Sequence, residues 1–271
     1  MRKIGMNLRG SILHSDEDCL QDIKTMAENG ISVTFTGMVE MERQIQIANM
    51  LARHGIEYET LHAPSAGINT MWLPGEDGDN KLKQLCQCAD HAKAAGAGII
   101  VVHLSSGEGA PPVTDIGRER FARLAEHADK IGVRIAFENQ RKLGNISWAF
   151  ETFPKDSNVG FCWDCGHETA FAHGRQYMPL FGDRLICTHI HDNFGVFQQD
   201  KHMLPFDGMF NYHRFARQIR ESGYLGSLML EVDYKKSPEL YGHLSYNEFI
   251  VRAAEAVKRL RRLVDEPTCC E

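Results

Sequence analysis

The sequence predicts one closed parallel (β/α)8 barrel. Three observations carry that expectation. Apolar runs of strand length alternate with amphipathic stretches of helical period along all 271 residues. Helical stretches stop at a glycine just before the next strand, as at Gly30, Gly55, Gly132 and Gly223. No composition break divides the chain, and about 250 residues suit a single barrel. An open doubly wound sheet is the competitor, and it usually carries G-x-G-x-x-G after its first strand. Gly96-Ala-Gly98 precedes a strand instead, and so reads as a turn.

In order, the first strand is expected over Lys3–Leu8 and the first helix over Asp16–Asn29. Ser32–Thr36 and Val39–His54 follow as strand and helix, and Glu57–His62 is the third strand. Lys81–Ala95 is helical, with Leu82, Leu85, Ala89 and Ala92 on one face. Gly98–Leu104 is the fourth strand. The helix Gly117–Lys130 turns Phe121, Leu124, Ala125 and Ala128 inward. Strands five to eight are expected over Val133–Glu138, Val159–Asp164, Leu185–His191 and Ser227–Val232, with further helices over Tyr212–Ser222 and Tyr246–Leu263. The barrel is assigned to residues 1–264 and a short tail to 265–271. Two connections are long, Ala63–Asn80 and Asn193–Phe210. Their aromatic residues, Trp72 in the first and Phe194, Phe197 and Phe206 in the second, suggest covers over a pocket.

Composition excludes several classes. Apolar residues are 43% and charged residues 24%, which rules out a disordered or fibrous chain. The net charge of −6 disfavours nucleic acid and anionic membranes as partners. No apolar run approaches the roughly 18 residues that span a bilayer. The start, Met-Arg-Lys-Ile-Gly-Met-Asn, lacks the apolar core of a signal peptide and reads as a strand. The eight cysteines form no disulfide framework, so they are expected as reduced thiols in the cytoplasm. Cys162-x-x-Cys165 has no partner pair for a zinc ribbon, and reads as two thiols at a strand end.

The informative pattern is what ends each strand. Successive runs lead to His62, His103, Glu138, Asp164, His189 and Glu231. In a barrel all strand C-termini share one face, so these six groups converge. One such residue alone is a hydrogen-bonded histidine or a helix cap. Six in series are harder to explain so. Converged carboxylates repel, and a divalent cation neutralises them most directly. His167, three residues past Asp164, and His191, Asp200 and His202 in the seventh loop add further donors. Lys235-Lys236 lies in the eighth loop, where barrels often hold phosphate, although two solvated lysines are the better explanation.

Phe137-Glu138-Asn139, Trp163-Asp164-Cys165-Gly166-His167, His189-Ile190-His191-Asp192-Asn193, Asp200-Lys201-His202 and Leu230-Glu231 resemble the xylose-isomerase-like barrels. That superfamily includes sugar and sugar-phosphate isomerases and epimerases, and AP endonucleases of the endonuclease IV type. The resemblance implies one divalent metal (manganese, magnesium, cobalt, iron or zinc) held by Glu138, Asp164, His189 and Glu231, with His191 as the alternative to His189. It implies no nucleotide cofactor.

The first function it implies is isomerisation or epimerisation of a small sugar or sugar phosphate. Glu138 and Glu231 would exchange a proton beside a polarised carbonyl, and His167 would steady the developing charge. His62, His103, Asp200, His202 and Trp72 would contact the carbohydrate. The alternative is a zinc-dependent endonuclease, with His62, His103, His167, Asp200 and His202 as additional ligands. It requires a basic DNA-facing surface, which the loop lysines scarcely provide. The expected partner is a small carbohydrate, with no nucleic acid and no membrane. The sequence leaves a homo-oligomer open.

Overall fold

In the computed structural model, which describes residues 1–8 and 15–266, eight parallel strands surround one axis in sequence order. They are β1 (Ile4–Asn7), β2 (Val33–Gly37), β3 (Glu57–His62), β4 (Ile99–His103), β5 (Arg134–Glu138), β6 (Val159–Asp164), β7 (Leu185–His189) and β8 (Leu228–Leu230). Each pairs with its neighbour in sequence from β1 to β7, and β1 also pairs with β8. The β7–β8 seam closes just beyond β7. Ile190 bridges Leu230, donating to the Met229 carbonyl at 2.9 Å and accepting from the Glu231 N–H at 3.0 Å.

The outer layer comprises α1 (Asp16–Glu28), α2 (Met41–Arg53), α3 (Glu76–Ala95), α4 (Asp115–Ile131), α5 (Leu143–Thr152), α6 (Cys165–Phe171), α7 (Met178–Phe181), α8 (Tyr212–Glu221), α9 (Pro238–Tyr241) and α10 (Tyr246–Asp265). Helix ends follow local chemistry. Ser15 caps α1, and Ser245 with Glu248 forms a capping box on α10. Gly132 ends α4 at φ 72°, a conformation costly for any residue with a Cβ.

Strand alternation sorts the side chains. Val101, Ala136, Cys162 and Cys187 form a small buried cluster of their own. Each lies two residues before His103, Glu138, Asp164 and His189, so both sets point the same way from their strands. Residues of opposite parity pack outward: Phe137 meets Phe121, and the Trp163 ring stacks on Phe215 at 4.8 Å. The donor series therefore forms one layer above a small-residue plug.

Several expectations are corrected. The connection at 63–80 is largely structured: a 3-10 helix covers Ile68–Trp72, and α3 starts at Glu76, five residues before the expected Lys81. Strands β7 and β8 are shorter than expected, so Glu231 lies one residue past β8. Helices α5, α6, α7 and α9 were not anticipated. Gly96, read as a turn, ends α3 in the left-handed region. Cys162 faces the barrel plug, and Cys165 opens α6 with its thiol toward the His191 carbonyl at 3.5 Å. Among the described residues no cysteine forms a disulfide. Cys269 and Cys270 lie outside the described residues. The final helix reaches Asp265.

Candidate active site and metal centre

Ten His, Asp and Glu side chains converge at the C-terminal mouth. Glu138 is the hub. Its Oε2 lies 2.8 Å from His103 Nε2 and 3.3 Å from His62 Nε2. Its Oε1 lies 3.3 Å from both His189 Nδ1 and His167 Nδ1. His189 Nδ1 is also 3.2 Å from Glu231 Oε2. The ligand atoms of Glu138, Asp164, His189 and Glu231 all lie within 4.8 Å of one another. Similar groupings hold for His62, His103 and Glu138, for His62, His189 and Glu231, and for His167, His191, Asp200 and His202.

The two histidines of the seventh strand end divide the site. His189 faces Glu138 and Glu231, with its ring on Phe35 at 4.5 Å. His191 faces Asp164 at 3.0 Å and Asp200 at 3.7 Å, and stacks on His202 at 4.0 Å. Asp200 Oδ2 accepts from His202 Nε2 at 2.7 Å, and Lys236 reaches the same oxygen at 3.3 Å. The eighth-loop lysine is thus paired with Asp200.

Burial and charge oppose each other here. Burial pushes the Glu138 and Glu231 carboxyls up, but the surrounding histidines hold both well below the carboxylate range. Burial prevails at Asp164, which is raised well above its ordinary value. His167, buried among Asp164, Glu138 and Asp200, is nevertheless pushed up to about 10, while burial drives His191 down to about 4. Buried His189 Nε2, His191 Nδ1 and Asp200 Oδ1 have no hydrogen-bond partner among the described residues, and Glu231 Oε2 has only the His189 ring beside it. Unfilled donors among crowded carboxylates fit a divalent cation.

Trp72 is the residue the structure does not bring to this site. It is fully buried, its Nε1 donates to the Leu104 carbonyl at 2.5 Å, and it packs on Phe121 and Trp148. It belongs to the core and corrects the expectation of stacking on a carbohydrate. Phe194 and Phe206 are also packed against the core. Phe197 is 42% exposed and lies 4.0 Å from the His173 ring.

Sequence reasoning missed several supporting residues. Gln140 Nε2 is 2.9 Å from His167 Nδ1 and 3.3 Å from His103 Nε2. Asn139 exchanges two 2.8 Å hydrogen bonds with the Asp164 backbone. Asp192 accepts backbone N–H groups of Asn193, Phe206 and Phe210, and so organises the seventh loop. Asn139, Asp192 and Asn193 stood inside the motifs already singled out. Nothing in the sequence marked Gln140.

A barrel whose strand ends converge metal-type donors on one mouth defines a class of TIM-barrel proteins with the site at the C-terminal face. The chain belongs to the xylose isomerase-like TIM barrel family, whose model matches residues 21–263. It is 32% identical over 151 residues to the uncharacterised protein y4fM of Sinorhizobium fredii, covering 55% of this chain and 45% of that one. It is 25% identical over 190 residues to fructoselysine 3-epimerase of Escherichia coli O157:H7, covering 65% and 64%. The chain thus spans less than two thirds of the length of these curated relatives. The D-psicose 3-epimerase of Clostridium cellulolyticum H10 superposes with a TM-score of 0.75 at 14% identity, covering 97% of this chain and 99% of that one. An L-ribulose 3-epimerase gives 0.72 at 16% over the full length of both. At such identities the structures establish the fold. This company does not favour the endonuclease alternative.

Proposed function

We propose that the protein is a divalent-metal-dependent epimerase or isomerase of a small ketose or related carbohydrate. The observation that carries the reading is the pairing of Glu138 and Glu231 across His189, within one group of four metal-type donors. Glu138, Asp164, His189 and Glu231 would hold the cation, which when bound supplies Lewis-acid polarisation of a substrate carbonyl.

The chain's own groups do the rest. Glu138 and Glu231 come from β5 and from the end of β8, so they flank a bound substrate from different directions. One carboxylate oxygen takes the proton from the carbon beside the carbonyl, and the other returns one. His167, held charged by Asp164, Glu138 and Asp200, donates a hydrogen bond to the oxygen where negative charge develops. His62, His103 and His202, with Asp200, orient hydroxyls around the rim. The similarity to fructoselysine 3-epimerase supports a ketose-type substrate.

The test is to load the purified protein with manganese, cobalt, magnesium, iron or zinc in turn, and to assay a ketose and aldose panel for epimer or isomer formation. Abasic duplex DNA is the control. Metal-dependent conversion of a sugar supports the reading, and zinc-dependent incision of the duplex refutes it.

A further inference from the structure

Beside the donor cluster lies a separate cavity of about 710 Å³. Its walls include Arg141 and Lys142 from the fifth loop, Phe171 at the end of α6, and Arg175 just beyond. It adjoins the proposed active site through a stack of side chains. The Phe171 ring lies 5.3 Å from the His167 ring, and the Arg141 guanidinium carbon stands 3.5 Å over Phe171. Gln140, next to Arg141 in sequence, contacts both His103 and His167. A single side chain, Phe171, thus links the His167 ring to the Arg141 guanidinium on the cavity wall.

The cavity's chemistry differs from that of the metal mouth. The mouth is rich in carboxylates, whereas the cavity wall carries three cations against one acid, Glu108. Glu108 pairs with Arg141 at 3.3 Å from a half-exposed position, where an ion pair is weak. Among the described residues Lys142 and Arg175 have no acidic partner. Arg175 is carried there by a tight turn in which His173, at φ 51°, and Gly174 both adopt left-handed conformations. The first turn of α5, beside Lys142, has no side-chain cap, and the positive end of its dipole adds to the positive field.

Neutral sugar hydroxyls do not require this charge, but an oxyanion does. Guanidinium and ammonium groups bind carboxylate and phosphate by charge-assisted hydrogen bonds, which are stronger than neutral ones. We infer that this cavity is a subsite for an anionic group on the substrate, a carboxylate or a phosphate ester, recognised by Arg141, Lys142 and Arg175. The inference rests on the carbohydrate reading for the substrate's other end, and it narrows the substrate class to acidic carbohydrates.

Two measurements test it independently of each other. In the first, kcat/KM of the metal-loaded enzyme is compared for a neutral ketose, its terminal phosphate ester and the corresponding keto-uronic acid. One anionic form should be preferred by about 10–100-fold, the scale of a hydrogen bond to a charged group. The Lys142→Ala/Arg175→Ala double variant should erase that preference through KM, and Arg175→Lys should recover part of it. A merely structural role would move all three substrates together. The second is calorimetric titration of the metal-free protein with inorganic phosphate and, separately, with glucuronate. At least one should bind wild type about tenfold or more tightly than the double variant, and which one does names the group. If neither discriminates and the substrate preference is absent, the subsite is overturned, whatever the enzyme does with neutral sugars. If an anion binds wild type selectively but no sugar is turned over, the subsite stands and the epimerase reading fails.

Discussion

The Asp164 carboxylate accepts the backbone N–H of His167 at 2.6 Å through Oδ1, while its other oxygen faces the His167 ring at 3.3 Å. One side chain therefore caps α6 and sits in the proposed metal group. The capping explanation of a strand-end aspartate holds at this position and is compatible with the proposed metal role.

That dual role separates two substitutions. Asp164→Asn keeps a capping oxygen and removes a charge, so metal affinity should fall while thermal stability of the metal-free protein changes little. Asp164→Ala loses the cap as well, and should cost about a further 1 kcal/mol. Metal titration and urea denaturation of the metal-free proteins separate the two effects.

Trp72 should matter to stability and not to substrate. A Cβ on Gly117 would lie 2.0 Å from the Trp72 ring, so that glycine exists to admit the indole. Trp72→Ala should destabilise by about 3–5 kcal/mol, and Gly117→Ala should also destabilise. KM for an active sugar should be unchanged in whatever fraction remains folded. Urea melts with parallel kinetics check both.

The contrast with Trp72 shows what a sequence can carry. Most strands were legible because they are largely buried on both faces, which leaves an apolar run such as Ile99-Ile-Val-Val before the donor, although two glutamates interrupt β3. The donors were legible because strand ends of a barrel share one face. Trp72 was misread because an aromatic residue in a long connection resembles a cover, and only the distant Gly117 reveals that it turns inward. Helix α5 was missed because Leu-Gly-Asn-Ile-Ser-Trp lacks a side-chain cap and includes a glycine. Gln140 joins the candidate site only through its proximity to His103 and His167, a tertiary fact.

Gly166 offers a sharp probe of His191. A Cβ there would fall 1.9 Å from His191 Cε1, and that ring is already stacked on His202. Gly166→Ala should displace His191 from Asp164 and weaken metal binding by about 10–100-fold, the range seen when a ligand's support is lost. Competition with a chromogenic chelator measures it.

Glu59 should set a pH dependence of its own, outside the four-residue metal-type donor group. Burial raises its carboxyl above the ordinary value, although Ser227 donates to it at 2.5 Å. The folded state then holds this proton more tightly than the unfolded chain. Its contribution to stability is therefore present at acidic pH and lost as pH rises through the unfolded and then the folded titration. Glu59→Gln should raise the neutral-pH Tm and flatten this part of the profile, as read by thermal melts between pH 4 and pH 8 (roughly the carboxylate-to-neutral range).

The most direct test of the central claim follows the proton. Metal-loaded wild type is incubated with an active sugar in deuterated water, and deuterium is measured at the carbon beside the carbonyl. The account predicts deuterium there in wild type. It predicts that Glu138→Gln and Glu231→Gln lose about 10²–10⁴-fold in turnover while still binding metal. Near-normal turnover and exchange in both variants with metal bound would contradict it.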